Sequence, residues 1–372
     1  MAGASSAPIV RVEPIAVGLP MRHAMRMAGV VVDRADNLLV RITDEEGRVG
    51  WGEAASAPTM TGELLAGMAA AVRHLAPALV GATAEAALAD AGRQRDRLLL
   101  GNDSAKAAID IALHDLAGRA SGQPVHARFG ALRRERVPVL WLVGTGSTEG
   151  DVAEAAAKRA QGFVAFKIKV GTGTPLADAE RTRRVRAAIG DGALVSADAN
   201  QGWSADEAAA YLAAVDDLRL DFVEQPMASD DLGALAALAR ASRTPIGVDE
   251  GIHSSDDIRR HHAAGAAAGC SLKAIKLGGL GAVADAAALC GSLGLRVNLA
   301  CKIAESGIAT AAVLHLAAAL PSLDWGVSLS NQYLAEDVLR DPPAVERGHA
   351  GVPKGPGLGV EVDEDRVDRH RL

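Results

Sequence analysis

"VAFKIKVG", residues 164–171, is an apolar run with strand character that carries two lysines one residue apart, Lys167 and Lys169. Side chains two positions apart on a strand lie on the same face, roughly 7 Å from each other, so both ammonium groups are expected in one place. The run belongs to a series of short apolar segments that alternate with Ala-rich amphipathic helices from Val137 onward, the pattern of successive βα units. Strands are predicted near residues 137–143, 164–169, 193–198, 220–225, 245–249, 271–276, 295–300 and 323–328.

The number of these strands separates two fold classes. Eight strands in fewer than 200 residues suit a closed (β/α) barrel better than an open doubly wound sheet, which stays as the alternative on pattern alone. No GxGxxG follows the first strand, so the dinucleotide-binding signature of such open sheets is missing. We therefore predict an α/β protein with a TIM-like barrel.

The residues before the barrel form a different pattern. Strand-like runs at 8–17, 37–44 and 48–53, with "DEEG" as a hairpin turn, precede helical periodicity over 61–75, 84–99 and 103–120, which indicates an α+β block. The Gly/Pro-rich tail is expected to return to this block. The predicted division is an N-terminal α+β capping domain over 1–132, a barrel over 133–330 and a C-terminal segment over 331–372.

Composition excludes several classes of protein. With 372 residues the chain exceeds the size of one core, and 39 basic against 46 acidic residues give a net charge of −7 without charged blocks. Nucleic acid and anionic membranes are therefore not expected as partners. Neither a secretory signal nor an apolar stretch of membrane-spanning length is present. Three cysteines without a spacing motif indicate reduced thiols, and a cytoplasmic protein is expected.

Charged residues close the apolar runs, at the strand ends where barrel enzymes place their chemistry. Asp198, Glu224 and Asp249 end three consecutive strands, each one βα unit apart, so one carboxylate per strand reaches the barrel mouth. Three converging carboxylates repel one another unless a cation lies between them. Oxygen ligands alone favour Mg²⁺, with Mn²⁺ as a possible substitute.

The lysines complete the predicted site. Lys169 ends the second strand and Lys273 the sixth, so a substrate held at the carboxylates would have an amine on each face. Partial burial and the neighbouring Lys167 are expected to lower a lysine pKa toward the range of a base at neutral pH. Such a site suits removal of a proton α to a carboxylate, with Mg²⁺ and lysines stabilising the enediolate; lysine bases with Mg²⁺ are a known pattern of enolase-superfamily sites.

The motifs "KIK", "DANQGW", "EQP", "DE" and "LKAIKLGG", together with "AKAAIDIALHDLAGRASGQPV" in the first block, resemble the muconate lactonizing enzyme subgroup of the enolase superfamily over essentially the whole chain. The resemblance implies a (β/α)₇β barrel under a capping domain and often a homo-oligomer, dimer or octamer. It implies metal ligation by Asp198, Glu224 and Asp249. It also implies acid/base roles for Lys169 and Lys273, electrostatic help from Lys167, and supporting roles for Asn200 and Glu250. The catalytic His of the mandelate racemase branch is missing from residues 291–305, which favours the two-lysine subgroup.

Substrate contacts differ from the family pattern at two positions. Muconate cycloisomerases carry a Glu on the last strand, where this chain has Ser328, and Lys302 is not the residue expected after the seventh strand. In the first capping loop, about residues 19–31, Arg22 and Arg26 suit a substrate with a second, distal carboxylate, because Arg binds carboxylates bidentately. A small-molecule carboxylate is the expected partner.

Several reactions share the predicted intermediate. Cycloisomerisation of a muconate-like diacid, racemisation or epimerisation of an N-acyl amino acid or dipeptide, and elimination of the o-succinylbenzoate synthase type all remain open. A Schiff-base aldolase using one of the lysines is a rival mechanism. A metabolite-binding barrel without catalysis is a rival class, which would have little reason to keep two lysines beside three carboxylates.

Overall fold

The structure is a computed structural model that describes residues 7–27, 30–89 and 96–372. Over these residues the chain forms an N-terminal three-stranded sheet, an eight-stranded parallel sheet and a small three-stranded antiparallel sheet. None of the described helices is long and apolar enough to cross a bilayer. All three cysteines are buried and free, as the spacing predicts.

The first sheet pairs its strands in chain order, with β1 (Ile9–Met27) and β2 (Val30–Asp44) forming a long antiparallel hairpin. Both strands run well beyond the predicted 8–17 and 37–44. After a register shift between Pro20 and Met25, main-chain pairing resumes at Met25 and Val32. The hairpin therefore extends beyond the residues whose apolar and polar side chains alternate. The predicted turn joins β2 to β3 (Val49–Ala55), with Gly47 in the left-handed region at φ 79°.

Three helices of this block are α1 (Leu65–Leu75), α2 (Ala84–Ala89) and α3 (Asp103–Ser121). The helix predicted from residue 61 starts later because Gly62 has φ 75°, which no helix accommodates. The helix predicted over 84–99 is α2 at its start, and residues 90–95 lie outside the described residues.

Two glycines bring α3 directly onto β3. A Cβ built on Gly52 would lie 1.9 Å from the carbonyl oxygen of Ala108, and one on Gly50 would lie 2.2 Å from that of Ala112. The strand and the helix are therefore in backbone contact, which only residues without a side chain allow at these two positions. The alanines of α3 are the other half of this close packing.

The parallel sheet is the barrel. Its eight strands, numbered here in chain order as the first to the eighth, are β5 (Leu140–Val143), β6 (Ala165–Lys169), β7 (Leu194–Asp198), β8 (Phe222–Glu224), β9 (Ile246–Val248), β10 (Gly269–Leu272), β11 (Arg296–Ala300) and β12 (Val327–Ser328). A parallel bridge between Val139 and Val327 joins the first strand to the last. The fold is therefore the predicted TIM-like barrel, and the open sheet is excluded.

Helices cover the outside of the barrel between its strands. They are α4 (Thr148–Ala160), α5 (Pro175–Ile189), α6 (Ala205–Ala214), α7 (Leu232–Ala241), α8 (Ser255–Ala264), α9 (Ala274–Leu277), α10 (Leu280–Ser292) and α11 (Gly307–Ala319). The strand predicted over 271–276 ends at Leu272, and α9 takes up the rest. Lys276 therefore lies on a short helix.

The strand predicted over 137–143 is divided at Pro138, which has no N–H to donate to a central ladder. Its first part, β4 (Arg136–Pro138), pairs instead with β14 (His349–Gly351), which also pairs with β13 (Val345–Glu346). The last helix is α12 (Glu364–Arg369).

The C-terminal residues contact the first sheet. The backbone N–H of Leu372 donates to Ala16 at 3.0 Å, and that of Gly18 donates to His370 at 2.9 Å. These hydrogen bonds join the C-terminal residues to β1, as expected if the tail returns to the N-terminal block. The division at residues 132/133 and 330/331 stays a prediction.

Glu53 on β3 connects the capping sheet to the barrel. Its buried carboxylate accepts hydrogen bonds from Asn37 Nδ2 at 2.8 Å and from the N–H groups of Ser306 at 2.8 Å and Ala309 at 3.0 Å, at the start of α11. A carboxylate is favoured at a helix N-terminus. Burial and the nearby carboxylate of Glu305 nevertheless raise the pKa of Glu53 to about 8.

Candidate active site

The strand register places the predicted residues on one level. Lys169 on β6 pairs with Asp198 on β7, and Asp198 pairs with Glu224 on β8. Glu224 pairs with Gly247 on β9, so Asp249 is two residues further along on the same face. Because register neighbours in a parallel sheet point the same way, the three carboxylates face one space at the C-terminal end of the barrel.

Each predicted carboxylate pairs with a predicted lysine. Lys169 Nζ lies 2.6 Å from Asp198 Oδ2, while Lys167 forms an ion pair with Glu224 and Lys273 with Asp249. All six side chains are buried. Buried charges need such partners, because an isolated one would lose its hydration without compensation. The structure thus brings together all six residues that the sequence predicts for metal ligation and proton transfer.

Lys276 is a fourth lysine at this site that sequence reasoning missed. Its Nζ lies 2.7 Å from Asp249 Oδ1 and 2.9 Å from the carbonyl oxygen of Ser271, and the side chain is fully buried. The signal was present in "LKAIKLGG", where Lys273 and Lys276 are three apart. Residues at that spacing share a helix face. Asp249 therefore receives two ammonium groups.

Asn200 and Glu250 lie beside the ion pairs, where the family resemblance implies them. Lys169 Nζ donates to Asn200 Oδ1 at 2.6 Å, and Asn200 Nδ2 donates to Glu250 Oε1 at 3.0 Å. Asn200 has φ 44°, a backbone conformation that costs free energy in residues other than Gly. This turn after β7 carries the Asn side chain back toward Lys169.

Gln225 is a second supporting residue that was not predicted. Its Oε1 accepts hydrogen bonds from the N–H groups of Asp249 at 3.0 Å and Gly251 at 3.2 Å, and its φ is 35°. The side chain therefore holds the end of β9, which carries Asp249. Its only signal in the sequence was its place inside "EQP".

Arg181 on α5 supports the end of β6 from outside the barrel. Its guanidinium donates to the carbonyl oxygen of Lys169 and to two buried carboxylates, Asp151 at 2.9 Å and Asp178 at 3.0 Å. Asp178 in turn accepts from the N–H of Gly171 at 2.8 Å. The backbone from the carbonyl of Lys169 to Gly171 is thereby anchored to α5.

The charges of the site shift one another's pKa values. Burial opposes ionisation of Asp249, but the ammonium groups of Lys273 and Lys276 outweigh it and lower its pKa. Burial and the charges of Asp249 and Asp198 raise the pKa of Glu250 to about 7.

Lys273 departs from the sequence-based expectation of a lowered lysine pKa. Burial disfavours its charged form, but attraction to Asp249 is stronger, so the pKa of Lys273 is raised. The sequence-based expectation rested on burial and on neighbouring lysines, and it did not include the carboxylate of Asp249, which contacts Lys273 directly.

A polar layer lies deeper in the barrel, below the carboxylates. Asn298 on β11 accepts from Lys167 Nζ at 3.2 Å and donates to the carbonyl oxygens of Trp325 at 3.1 Å and Gly326 at 3.0 Å. Ser328, at the end of β12, is half-buried with its Oγ 3.5 Å from Asn298 Nδ2. Ser328 thus lies where the sequence places it, on the last strand beside the site.

A cavity of about 70 Å³ opens above these layers. That is several times the room one water needs, so a small organic molecule suits it. The side chains that line it include Met60, Lys167, Lys169, Asp198, Asn200, Lys273, Lys302, Ile303, Ser328 and Tyr333. Lys302 also lines an adjoining cavity of about 940 Å³ toward the capping residues 31–37 and 55–65.

Arg22, one of the two arginines predicted to bind substrate, does not line this cavity. Arg22 is exposed and lines a separate cavity with Trp141 and Glu154; Leu142 and Tyr333 line both. The side chain of Arg26 lies outside the described residues. Their roles stay predictions.

The carboxylates of Asp198, Glu224 and Asp249 form the donor set available to a divalent metal. In the part of the chain that the structure describes, no three His, Cys, Asp or Glu side chains are grouped as ligands around one point, and the carboxylates pair with ammonium groups instead. Asp198, Glu224 and Asp249 nevertheless supply only oxygen atoms from adjacent strand ends, which is the chemistry Mg²⁺ prefers. Cationic charge already gathers at all three, so the donor set fits a divalent cation.

Comparison with known proteins agrees with this arrangement. The profile described as mandelate racemase / muconate lactonizing enzyme, N-terminal domain, matches residues 10–130, and the profile described as enolase C-terminal domain-like matches residues 151–366. The chain belongs to this family of the enolase superfamily. The family is one of enzymes and generally implies a divalent metal.

Individual relatives cover nearly the full length. A chloromuconate cycloisomerase of Delftia acidovorans is 33% identical over 95% of this chain and 96% of its own. The L-Ala-D/L-Glu epimerase of Bacillus subtilis is 31% identical over 95% of this chain and 96% of its own. The crystal structure of the muconate lactonizing enzyme from Pseudomonas fluorescens with muconolactone superposes with a TM-score of 0.94, at 30% identity over 99% of this chain and 100% of that one. The chain is thus similar to isomerases of more than one reaction.

Proposed function

We propose that this enzyme is a Mg²⁺-dependent isomerase that removes or returns a proton at the carbon α to a carboxylate of a small organic acid. The observation that carries the proposal is the placement of Lys169 at the end of the second barrel strand and of Lys273 directly after the sixth, where both line one cavity that Asp198 also lines. Two amines on opposite sides of a bound acid can each exchange a proton with one face of its α-carbon.

The other residues would hold the reactants. A divalent cation bound by Asp198, Glu224 and Asp249, Mg²⁺ by preference and Mn²⁺ as a substitute, would neutralise charge on the substrate carboxylate as the proton leaves. Lys167 is buried beside Glu224 and adds positive charge at the same level. Asn200 accepts from Lys169 and orients its ammonium. Arg181 and Gln225 fix the ends of the strands that carry these groups.

Cycloisomerisation of a muconate-like diacid is the reaction we place first, because chloromuconate cycloisomerases are among the most similar relatives. Racemisation or epimerisation of an N-acyl amino acid or a dipeptide is the second candidate. It is favoured by Ser328, which stands where muconate cycloisomerases carry a Glu, and by the two opposed lysines. Elimination would use the same proton transfer.

Proton exchange in D₂O tests the proposal. Muconolactones, N-succinyl amino acids and dipeptides are incubated with enzyme and Mg²⁺, and deuterium at the α-carbon is followed by NMR. We expect incorporation on at least one class, and we expect Lys169→Met and Lys273→Met each to lose it, on chiral substrates for one enantiomer. Lys158→Met is the matched control, since Lys158 is a half-buried lysine outside the cavity.

The Schiff-base alternative predicts a different result. Borohydride reduction in the presence of substrate would then leave a covalent adduct on a lysine, and chelation of divalent metal would leave activity intact. No exchange on any of these acids would refute the proposed function.

A further inference from the structure

Lys302 follows the seventh barrel strand, β11, and lines the same cavity as Lys169 and Lys273. In a ring of eight strands the seventh lies across from the third, β7, which carries Asp198. Lys169, which ends the second strand, and Lys273, which follows the sixth, lie between these two positions on opposite sides of the ring. A ligand that reaches from the carboxylates to Lys302 would therefore span the barrel mouth and pass both proposed acid/base groups.

The ammonium of Lys302 differs from the other amines of this cavity. Lys167, Lys169 and Lys273 each pair with a carboxylate, whereas no ion pair or hydrogen bond joins the Lys302 side chain to any residue that the structure describes. Glu305 is near in sequence, but its Oε2 accepts from the backbone N–H of Lys302 at 2.8 Å, and its Oε1 accepts from that of Ala55 at 3.4 Å. The Lys302 ammonium thus lines the cavity without a directly contacting carboxylate among the described residues.

The surroundings disfavour that charge. Burial and the charge of Lys273 lower the pKa of Lys302 to about 8, with Glu305 opposing the shift. A ligand anion beside the ammonium would offset both effects. Lys302 is not a surface lysine whose methylene stem covers apolar neighbours. Its side chain is half-buried, and it lines both the small cavity and the adjoining larger one.

We propose that Lys302 binds a second carboxylate of the substrate, so that the acid turned over by this enzyme is a dianion. The proposal deepens the proposed function and rests on it for the identity of the ligand as substrate. Met60, Ala300 and Ile303 line the space between the two ends. They suit a short carbon chain between the carboxylates. A dicarboxylate or an N-acyl amino acid with a carboxylate on its acyl group has this form.

Binding measurements without turnover test the inference. Adipate, a six-carbon diacid, is compared with its monomethyl ester by calorimetry on the full chain in excess Mg²⁺. For the unchanged enzyme we expect adipate to bind at least about tenfold more tightly, because the charged pair is worth about 1.5–3 kcal/mol. Lys302→Met and Lys302→Gln are expected to bind the two probes equally, Lys302→Arg to keep most of the preference, and Lys158→Met to keep all of it.

Two results would overturn the inference: equal binding of the two probes by the unchanged enzyme, or an undiminished preference in folded Lys302→Met or Lys302→Gln. Proton exchange in D₂O separates this inference from the proposed function. A diacid preference that depends on Lys302 in an enzyme that exchanges no α-proton would refute the proposed reaction and leave the anion site standing. On acids that are exchanged, kcat/KM of Lys302→Met should fall at least about tenfold for a diacid and stay within about threefold for its monoester; an equal fall for both would count against the inference.

Discussion

Lys169 and Asp198 are register neighbours on β6 and β7, and their side chains form an ion pair with Nζ 2.6 Å from Oδ2. A proposed proton-transfer group is thus held by a proposed metal ligand. Lys273 forms an ion pair of the same kind with Asp249. Metal binding and the freedom of the two amines are therefore expected to depend on the same carboxylates.

Removing one of these carboxylates should remove metal stabilisation. We expect millimolar Mg²⁺ to raise the melting temperature of the unchanged protein, since a ligand at 100 times its Kd adds about 2.7 kcal/mol to the free energy of unfolding. Asp198→Asn should abolish the rise in a thermal melt, whereas Asp341→Asn, at an exposed position, should retain it. Identical melting temperatures of the unchanged protein in Mg²⁺ and in chelator would contradict the proposed site.

The opposed lysines predict a stereochemical result on chiral substrates. If each amine serves one face of the α-carbon, Lys169→Met should lose deuterium exchange with one enantiomer of an N-succinyl amino acid, and Lys273→Met with the other. Loss should exceed about a hundredfold, the range of general acid–base catalysis. NMR on the separate enantiomers measures it. Equal losses on both enantiomers in both variants would speak against a division of labour.

Glu53 should make stability depend on pH. Its pKa is about 8 in the folded protein and close to 4.5 when exposed, so the stability it contributes is present in full below pH 4.5 and is lost as the pH rises toward 8. In Glu53→Gln this loss should shrink by an amount on the order of 2–4 kcal/mol. Urea unfolding at pH 5 and pH 8.5 measures the difference. Glu361→Gln, at an exposed position, is the control and should show the pH dependence of the unchanged protein. If Glu53→Gln also showed an unaltered pH dependence, a raised pKa of Glu53 would be refuted.

The contact between β3 and α3 should not tolerate a methyl group. Gly52→Ala would place its Cβ against the Ala108 carbonyl oxygen, so we expect a loss of about 3 kcal/mol in the free energy of unfolding. Gly67→Ala is the control, because Gly67 is exposed on α1 with open space around its Cβ position. That variant should gain up to about 1 kcal/mol from helix propensity. Similar unfolding midpoints for the two variants would show that the strand can move away from the helix.

The barrel and its six charged groups could be predicted because each property is local. A charge that closes a short apolar run marks a strand end, and equal spacing brings Asp198, Glu224 and Asp249 to one rim. Lys276 escaped prediction because β10 stops at Leu272 and a short helix turns the lysine back toward Asp249. Tertiary packing decides where the strand gives way to this helix, and the local sequence does not show it.

Other features depend on residues far apart in the chain. Glu305 raises the pKa of Glu53, which lies about 250 positions earlier in the chain, and nothing near either residue in the sequence indicates a buried carboxylate. The placement of Arg22 at the cavity that Trp141 also lines follows from how far the β1–β2 hairpin extends, which side-chain alternation does not specify. The spacing of residues along the chain does not show which distant residues lie close together in the fold.

The bridge between Val139 and Val327 has a consequence for biosynthesis. The two strand edges that this bridge joins are separated by most of the barrel sequence. All eight barrel strands must therefore be synthesised before the first and the last can pair and close the barrel. Until then the nascent sheet presents two unpaired edges, and unpaired edges recruit strands from other chains. We therefore expect this enzyme to fold more efficiently when nascent chains are kept apart until β12 has emerged.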